Sequence, residues 1–512
     1  MRRVAVIGSG PAAAGVCLAL RKMSVNVHVF DVGEKLEEPN SSAAERLGSN
    51  NPDNWDSKDI KKVTKNSSFS IFKKPQKLVF GSDYIYLKNR SLMRFKSNRQ
   101  PISPTFAKGG FSRAWGGAVL PISKNELNHW PINFDELEPH FKEIWNHVPI
   151  SGIANPKYDE FFPRFGEYDG LIDIPTPCEK LLEAMEKHER LSDNENFMFS
   201  RSRLMVSSGI NGCINCGICL SGCPYGHIFQ TDTIIDSLVK KGCIFYHKNS
   251  FVEHLVEDRL SAKITIVDIR TRIRTTQGFD KIFIAAGALG TTGIMLRSGL
   301  VKNKITILNS DKFIFPMFLK SCPGTHKRQS PSLSSIFADI QLPDETNFWI
   351  HGQISSISSY LDLKWRRISQ LIPWSIVDRN LIMLTGLPSS LSSKTLITMD
   401  NDRTLIAKMI PKNNINSIIL NTINAYKRSP LGKSAIIFPK IHRYLPAGGH
   451  HYGGQFPMKE NPSGNQTDKL GRLKGLSSIH IVDTSVFPHI PSSTIVFTLM
   501  ANAHRITSLS FK

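Results

Sequence analysis

Residues 3–31 read RVAVIGSGPAAAGVCLALRKMSVNVHVFD, and the placing of their small residues decides the fold. RVAVIG is a short apolar, β-branched run, the pattern of a buried strand. VCLALRK follows with helical spacing, and VNVHVFD is a second strand ending in an acid, Asp31. Between strand and helix, Gly8 permits a tight turn and Gly10 lets the backbone approach a pyrophosphate. Ala13 takes the third small position, where helix packs on strand. The helix N-terminus offers free N–H groups and the positive end of its dipole to phosphate. Asp31 lies 21 residues beyond Gly10, where a carboxylate accepts from ribose hydroxyls. Strand, loop, helix, strand and terminal acid in register predict a dinucleotide-binding unit. FAD and NAD share this fingerprint.

The same stretch carries two arginines, an apolar run and small residues, as a secretory leader does. Its removal would delete the phosphate loop, so the expectation is a cytoplasmic protein. The chain has 512 residues, 40% of them hydrophobic, enough for one large core or several ordinary domains. Lys and Arg number 64 against 43 Asp and Glu, a net charge of +21. That charge is scattered in small groups such as KDIKKVTK, IFKKPQK and LKWRR, with no RNA or DNA motif beside it. A basic surface is expected, not nucleic-acid binding, with peripheral contact to acidic lipid or glycan left open. No uninterrupted apolar run has transmembrane length, since RRISQLIPWSIVDRNLIMLTGLPSSL is broken by Arg, Asp and Pro. No integral membrane segment is expected.

The far end mirrors the start. IHIVD reads as a strand ending in Asp483, and PSSTIVFTLMANAHRI as a helix with Pro491 and two serines near its start. Such a pair can complete a cofactor pocket. Here the sequence resembles the glucose–methanol–choline (GMC) oxidoreductases. VIGSGPAAAG…VFD resembles their FAD-binding unit. KGGFSRAWGGAVLP, residues 108–121, resembles their second glycine-rich loop beside the flavin. HHYGGQFPM…LSSIHIVDTSVFPHIPSSTIVFTLMANA resembles their C-terminal signature, and FIAAGALGTTGIMLRSG fits their strand–glycine–helix step.

The resemblance implies FAD and oxidation of a CH–OH group by hydride transfer to the flavin. The implied fold is α/β: a discontinuous Rossmann-like FAD-binding domain with an α+β substrate domain built on a mostly antiparallel sheet. His450 aligns with the family's active-site histidine, counted from the Gly453–Gly454 pair. Imidazole suits a hydroxyl proton that must leave as hydride moves. His451 is the neighbour that could serve instead, and a purely structural glycine turn is the bland alternative. The family's second catalytic position, usually His or Asn, falls on Thr494. Threonine can orient an alkoxide but is no base at neutral pH. His489, five residues earlier, has the wrong spacing for a direct match. Implied cofactor contacts are Gly8, Gly10, Ala13, Asp31, Gly110, Ser112, Trp115, Gly116, Gly117, Ala286, Gly287, Asp483 and Ser493.

CINCGICLSGCP, residues 213–224, holds four of the eight cysteines. Cys213, Cys216, Cys219 and Cys223 have the C-x2-C-x2-C-x3-C-P spacing of a ferredoxin. One [4Fe–4S] cluster is one reading, with Cys223 or a distant Cys178, Cys243 or Cys322 as fourth ligand. A metal-free loop at the pocket mouth is the second, since some GMC relatives resemble the stretch. Zinc is a third, poorly served by ligands this close together. A cluster would pass single electrons to an outside acceptor, whose identity the sequence leaves unknown.

The FAD-binding domain is expected over residues 1–35, 100–130, 200–300 and 440–512. Residues 301–440 are expected to form the substrate domain, with 36–99 and 131–199 as connecting and lid segments. NSSAAERLGSNNPDNWDSKD reads as a polar loop. INFDELEPHFKEIWNHV has a helical stripe of core residues. The expected substrate is a small-molecule or glycan-linked alcohol, such as a sugar or polyol. The alternatives are a flavin-bound but catalytically silent partner protein, or an iron–sulfur flavoprotein whose work is electron transfer.

Overall fold

The structure is a computed structural model. It describes residues 1–65, 77–87, 92–97, 102–190, 195–258, 261–321, 331–342, 349–356, 379–448 and 450–512. Cys322, LKWRR and most of IFKKPQK lie outside the described residues.

Five parallel strands form the first sheet, in the order Ile479–Ile481, Lys281–Ile284, Arg2–Ile7, Val25–Phe30 and Phe245–His247. Strand Arg2–Ile7 lies at the centre, and Val4, Ala5 and Val6 are fully buried, as a strand covered on both faces requires. Helix Pro11–Leu20 packs against the C-terminal helix Val496–Leu509. At their crossing, a Cβ on Gly15 would stand 2.4 Å from the Met500 carbonyl oxygen. Only glycine lets the two helices approach so closely. The two ends of the chain thus share one core.

A seven-stranded, mostly antiparallel sheet forms the second body. Phe313, Phe315, Met317 and Leu319 of strand Lys312–Leu319 point into its core. Helices Thr176–Glu189 and Ile415–Arg428 supply the other side of that core. The strand's alternate residues, starting with Lys312, face the opposite way, as the strand period of two demands. This layout is a Rossmann-like sheet with an antiparallel substrate sheet, as the sequence led us to expect.

Several details differ. Strand Phe197–Arg201 pairs with Ile336–Gln341 and so extends the antiparallel sheet from outside residues 301–440. Strands Ile305–Asn309, Lys394–Met399 and Leu405–Ile410 leave that sheet for a smaller one with Tyr452–Gly453 and Phe95–Ser97. The polar stretch 40–59 is not a loop. It folds as helices Asn40–Gly48 and Ser57–Val63, because Ala43, Ala44 and Leu47 bury on one face and Asp56 caps Lys58 N at 2.7 Å. The last helix starts at Val496, not at the serines. Ser492 and Thr494 spend their hydroxyls on Trp349 and Leu120, so they do not cap a helix. Helix Phe134–Trp145 agrees with the sequence pattern, buries Leu137, Phe141, Ile144 and Trp145, and opens on an Asn133–Glu136 capping box. Among the described residues, no helix is long and apolar enough to cross a membrane.

Candidate active site

A cavity of about 420 Å³ lies between the two bodies, lined by Gly8 to Ala12, Asp31, Gly110 to Ser112, Ala285 to Gly290, Asp483 and Thr494. Segments far apart in sequence meet there because parallel strands Arg2–Ile7, Lys281–Ile284 and Ile479–Ile481 all end at the same edge. Gly8 has φ +103°, and a Cβ there would lie 2.5 Å from the Ala285 carbonyl oxygen. Gly10 and Gly110 meet backbone to backbone, a Cβ on Gly110 falling 3.3 Å from the Gly10 Cα. Ser9 ties the loops together: its hydroxyl donates to Asp31 Oδ2 at 2.5 Å and accepts from Gly109 N at 2.9 Å. Tyr246 donates to the same Asp31 oxygen at 2.8 Å. Burial pushes the Asp31 carboxyl up to about 6, against the pull of Ser9, Tyr246 and Lys108.

Asp483 closes the third edge. It accepts from Thr291 Oγ1 at 2.5 Å and Ser485 N at 2.9 Å. Burial raises its pKa, and those donors oppose the rise. Ser112 bonds to Gly109 O at 2.6 Å and Thr231 Oγ1 at 3.0 Å, which pins the second glycine loop. Trp115 donates to Phe229 O at 2.7 Å, and with Gly116 it lines the cavity.

Three implied cofactor contacts do not reach the wall. Ala13 is buried within its helix, and Gly117 sits against Met205 and Val206 with φ +73°. Ser493 lies off the cavity wall, its hydroxyl buried with no hydrogen-bond partner among the described residues. Each is one residue from a neighbour that does line the cavity, a register that sequence spacing alone does not resolve.

His450 and His451 both line the cavity. Ser310 N–H donates to the His451 carbonyl at 2.8 Å, and Tyr452 pairs with Asn309, so the loop is anchored to the small sheet. His450 has φ +53°, rare for a residue with a Cβ, and its ring stacks on Phe111 at 5.1 Å and Tyr86 at 5.7 Å. The His451 pKa is pushed well below the ordinary value by burial, then by Lys312, His450 and His351. Thr494 Oγ1 accepts from Leu120 N at 2.7 Å and donates to Leu120 O at 3.2 Å, so its hydroxyl is largely committed to the backbone. His489 is absent from the cavity wall, and its Nδ1 accepts from Trp130 at 3.2 Å.

The cysteine run is a loop held by its backbone. Cys213 N donates to Ser207 O at 2.9 Å, Phe80 N to Ser221 O at 2.6 Å, and His227 N to Cys223 Sγ at 3.3 Å. Burial raises the thiol pKa of Cys213, of Cys216 to about 12 and of Cys219 to about 11. No disulfide joins the four. Among the described residues, no group of three or more His, Cys, Asp or Glu converges as a metal site, so the fold lends no support to a cluster. Leu220, inside the run, lines the cavity.

Sequence reasoning missed Lys77, Lys312 and Gln353, which also line the cavity. The only signal was the strand alternation of KFIFPMFL, which sets Lys312 opposite the core residues.

Strand edge, glycine loops and roofing sheet define the class first: a two-body α/β protein with a Rossmann-like sheet. The comparisons with known proteins carry this further. Residues 432–503 match the family model for GMC oxidoreductases, at its C-terminal domain. The chain thus carries the GMC oxidoreductase C-terminal domain, as its sequence resemblance implied. Among solved structures, pyridoxine 4-oxidase from Mesorbium loti aligns with a TM-score of 0.60 over 99% of each chain, at 12% identity. That likeness shows the fold. No curated protein matches. The family implies FAD, and the residues fit it: Gly8 to Ala12 line the cavity where helix Pro11–Leu20 begins, and a Cβ on Gly287 would meet nothing within 4 Å.

Proposed function

We propose that the protein is an FAD-dependent oxidoreductase that oxidises a CH–OH group of a sugar, polyol or glycan-linked alcohol. One observation carries the reading: three strand ends and two glycine loops converge with His450 and His451 on one cavity. Gly8, Gly10, Asp31, Gly110, Gly287 and Asp483 would hold the FAD, which would supply a hydride acceptor. The roof sheet and Trp115 exclude water and orient the alcohol.

His450 takes the hydroxyl proton at its imidazole. A base works best with a pKa near the working pH. His451 is depressed far below that range, so it serves as a neutral hydrogen-bond partner. The left-handed backbone of His450 supports the choice, since strain of this kind clusters at functional sites. The cysteine run enters as a loop flanking the cavity, with Leu220 on its wall. An anaerobic visible spectrum, with substrate added, tests the whole reading. A flavin spectrum that bleaches with an alcohol is expected; protein without flavin overturns it.

A further inference from the structure

Three cations line the cavity, Lys77, Arg297 and Lys312, and among the described residues the two lysines have no anion beside them. Lys312 begins its strand on the face turned from the core and lines the cavity with Gln353, Leu384 and the His450–His451 pair. Lys77 lines it beside Trp115 and Leu220, and its ammonium donates to the Trp115 and Cys219 carbonyls, each at 3.1 Å. Among the described residues, neither lysine has a carboxylate partner. The nearest acid along the chain, Asp311, is taken up elsewhere. Its carboxylate accepts from Ser393 N at 2.6 Å, Ser393 Oγ at 2.8 Å, Ala447 N at 2.7 Å and the Tyr444 hydroxyl. The carboxylates of the described wall are Asp31 and Asp483, both at the nucleotide edge and both held by hydroxyls. Burial lowers both lysines to about 8. A half-dry cation without a counter-charge is costly, and an anion entering the cavity would relieve that cost.

We propose that Lys312 is a specificity-determining residue of the substrate site and that it selects an alcohol bearing an anionic group, a carboxylate or a phosphate. This rests on the oxidoreductase reading above. Lysine is a point charge that accepts either anion without a fixed fork geometry. Lys77 adds a second positive charge on the same cavity. The net charge of +21 favours the approach of an anionic substrate through the long-range field.

The test uses the purified holoprotein and matched probes: methyl glucuronoside against methyl glucoside, and glucose 6-phosphate against glucose. Binding is measured by calorimetry and flavin reduction under anaerobic conditions. At pH 7 at least one anionic probe is expected to bind about ten-fold more tightly than its neutral partner. The pair that shows the preference distinguishes carboxylate from phosphate. Lys312→Met loses the preference, and Lys312→Arg keeps most of it.

In the unmodified protein the preference fades as pH rises through about 8, because the ammonium loses its proton. The titratable and charged groups around Lys312 are His450 and His451, His351 across the sheet, Asp311, and Arg443 and Tyr444 on the paired strand. Equal binding of neutral and anionic probes, or a preference that survives Lys312→Met, overturns the proposal. Should that variant not fold, a preference unchanged to high pH does the same. If a Lys312-dependent preference accompanies a flavin-free protein, the oxidoreductase reading fails and the anion site stands. If flavin is reduced by neutral and anionic probes alike, the reverse holds.

Discussion

The two walls of the cavity are built on different principles. The nucleotide wall is main chain: glycine loops pressed together, with the carboxylates of Asp31 and Asp483 closed by hydroxyl donors. The roof wall is side chain: Lys312, Gln353 and Leu384 project from antiparallel strands, and the lysine has no carboxylate partner among the described residues. The first wall answers its own carboxylates, Asp31 with Ser9 and Tyr246, Asp483 with Thr291 and Ser485. The second keeps a charge unanswered. A binding site for a fixed cofactor can close its own polar groups; a site that turns over its ligand must leave some open.

The largest expected effect would break the nucleotide wall. Gly8→Val drives a side chain into the Ala285 carbonyl at a left-handed φ, costing about 3 kcal/mol or more. Flavin content per protein, read from absorbance, should fall to near zero. If Gly8→Val keeps its flavin, the backbone account of that wall is wrong.

His450→Asn acts at the junction of the walls. Anaerobic flavin reduction should slow by roughly 10²–10⁴-fold, the range for losing a general base, with flavin retained. His451→Asn should cost less, since that ring is already held neutral. An equal or larger loss at His451 would exchange the two roles.

Acid separates the walls further. His480 and His489, on the nucleotide side, sit at about 4 and about 3, and the neighbouring His140 and His504 at about 3 and about 4, all lowered first by burial. A depressed histidine binds its proton more readily unfolded, so its stability is lost as pH falls below about 6.5. Asp31, raised to about 6, and Glu126, raised to about 7, act in the opposite sense between their ordinary values and those figures. Four histidines against two acids predict a lower melting temperature at pH 5.5 than at 7.5. A flat profile would mean these rings are wetter than the fold shows.

The smallest effect is at the seam. Thr494→Val removes both bonds to Leu120 and should cost about 1 kcal/mol in denaturant unfolding. A far larger loss would point to a role beyond tying the loop to the last helix.

The packing of the glycine loops was legible because their contacts are backbone contacts. Only certain residues permit them, so Gly8, Gly10, Gly110 and Asp31 announce themselves at fixed spacing. The helix 134–145 was equally plain, its apolar stripe and Asn133–Glu136 cap both being local signals. The polar stretch 40–59 misled, because burial of Ala43, Ala44 and Leu47 depends on what packs above them. The cysteine spacing left a cluster and a metal-free loop both open, because ligand intervals describe a run, while the use of the thiols depends on the loop's path.

The sequence by itself determined the strand–loop–helix–strand unit at the start of the chain and the C-terminal family segment, because each is a short pattern whose signal is local. Only the tertiary structure decided that Thr494 faces a backbone, that His489 stands outside the cavity and that Lys312 and Lys77 stand on its wall. Those placements join residues hundreds of positions apart, and no spacing rule reaches across a fold. The burial of the lysines, and the lack of a carboxylate partner for them among the described residues, belong to the packed molecule alone.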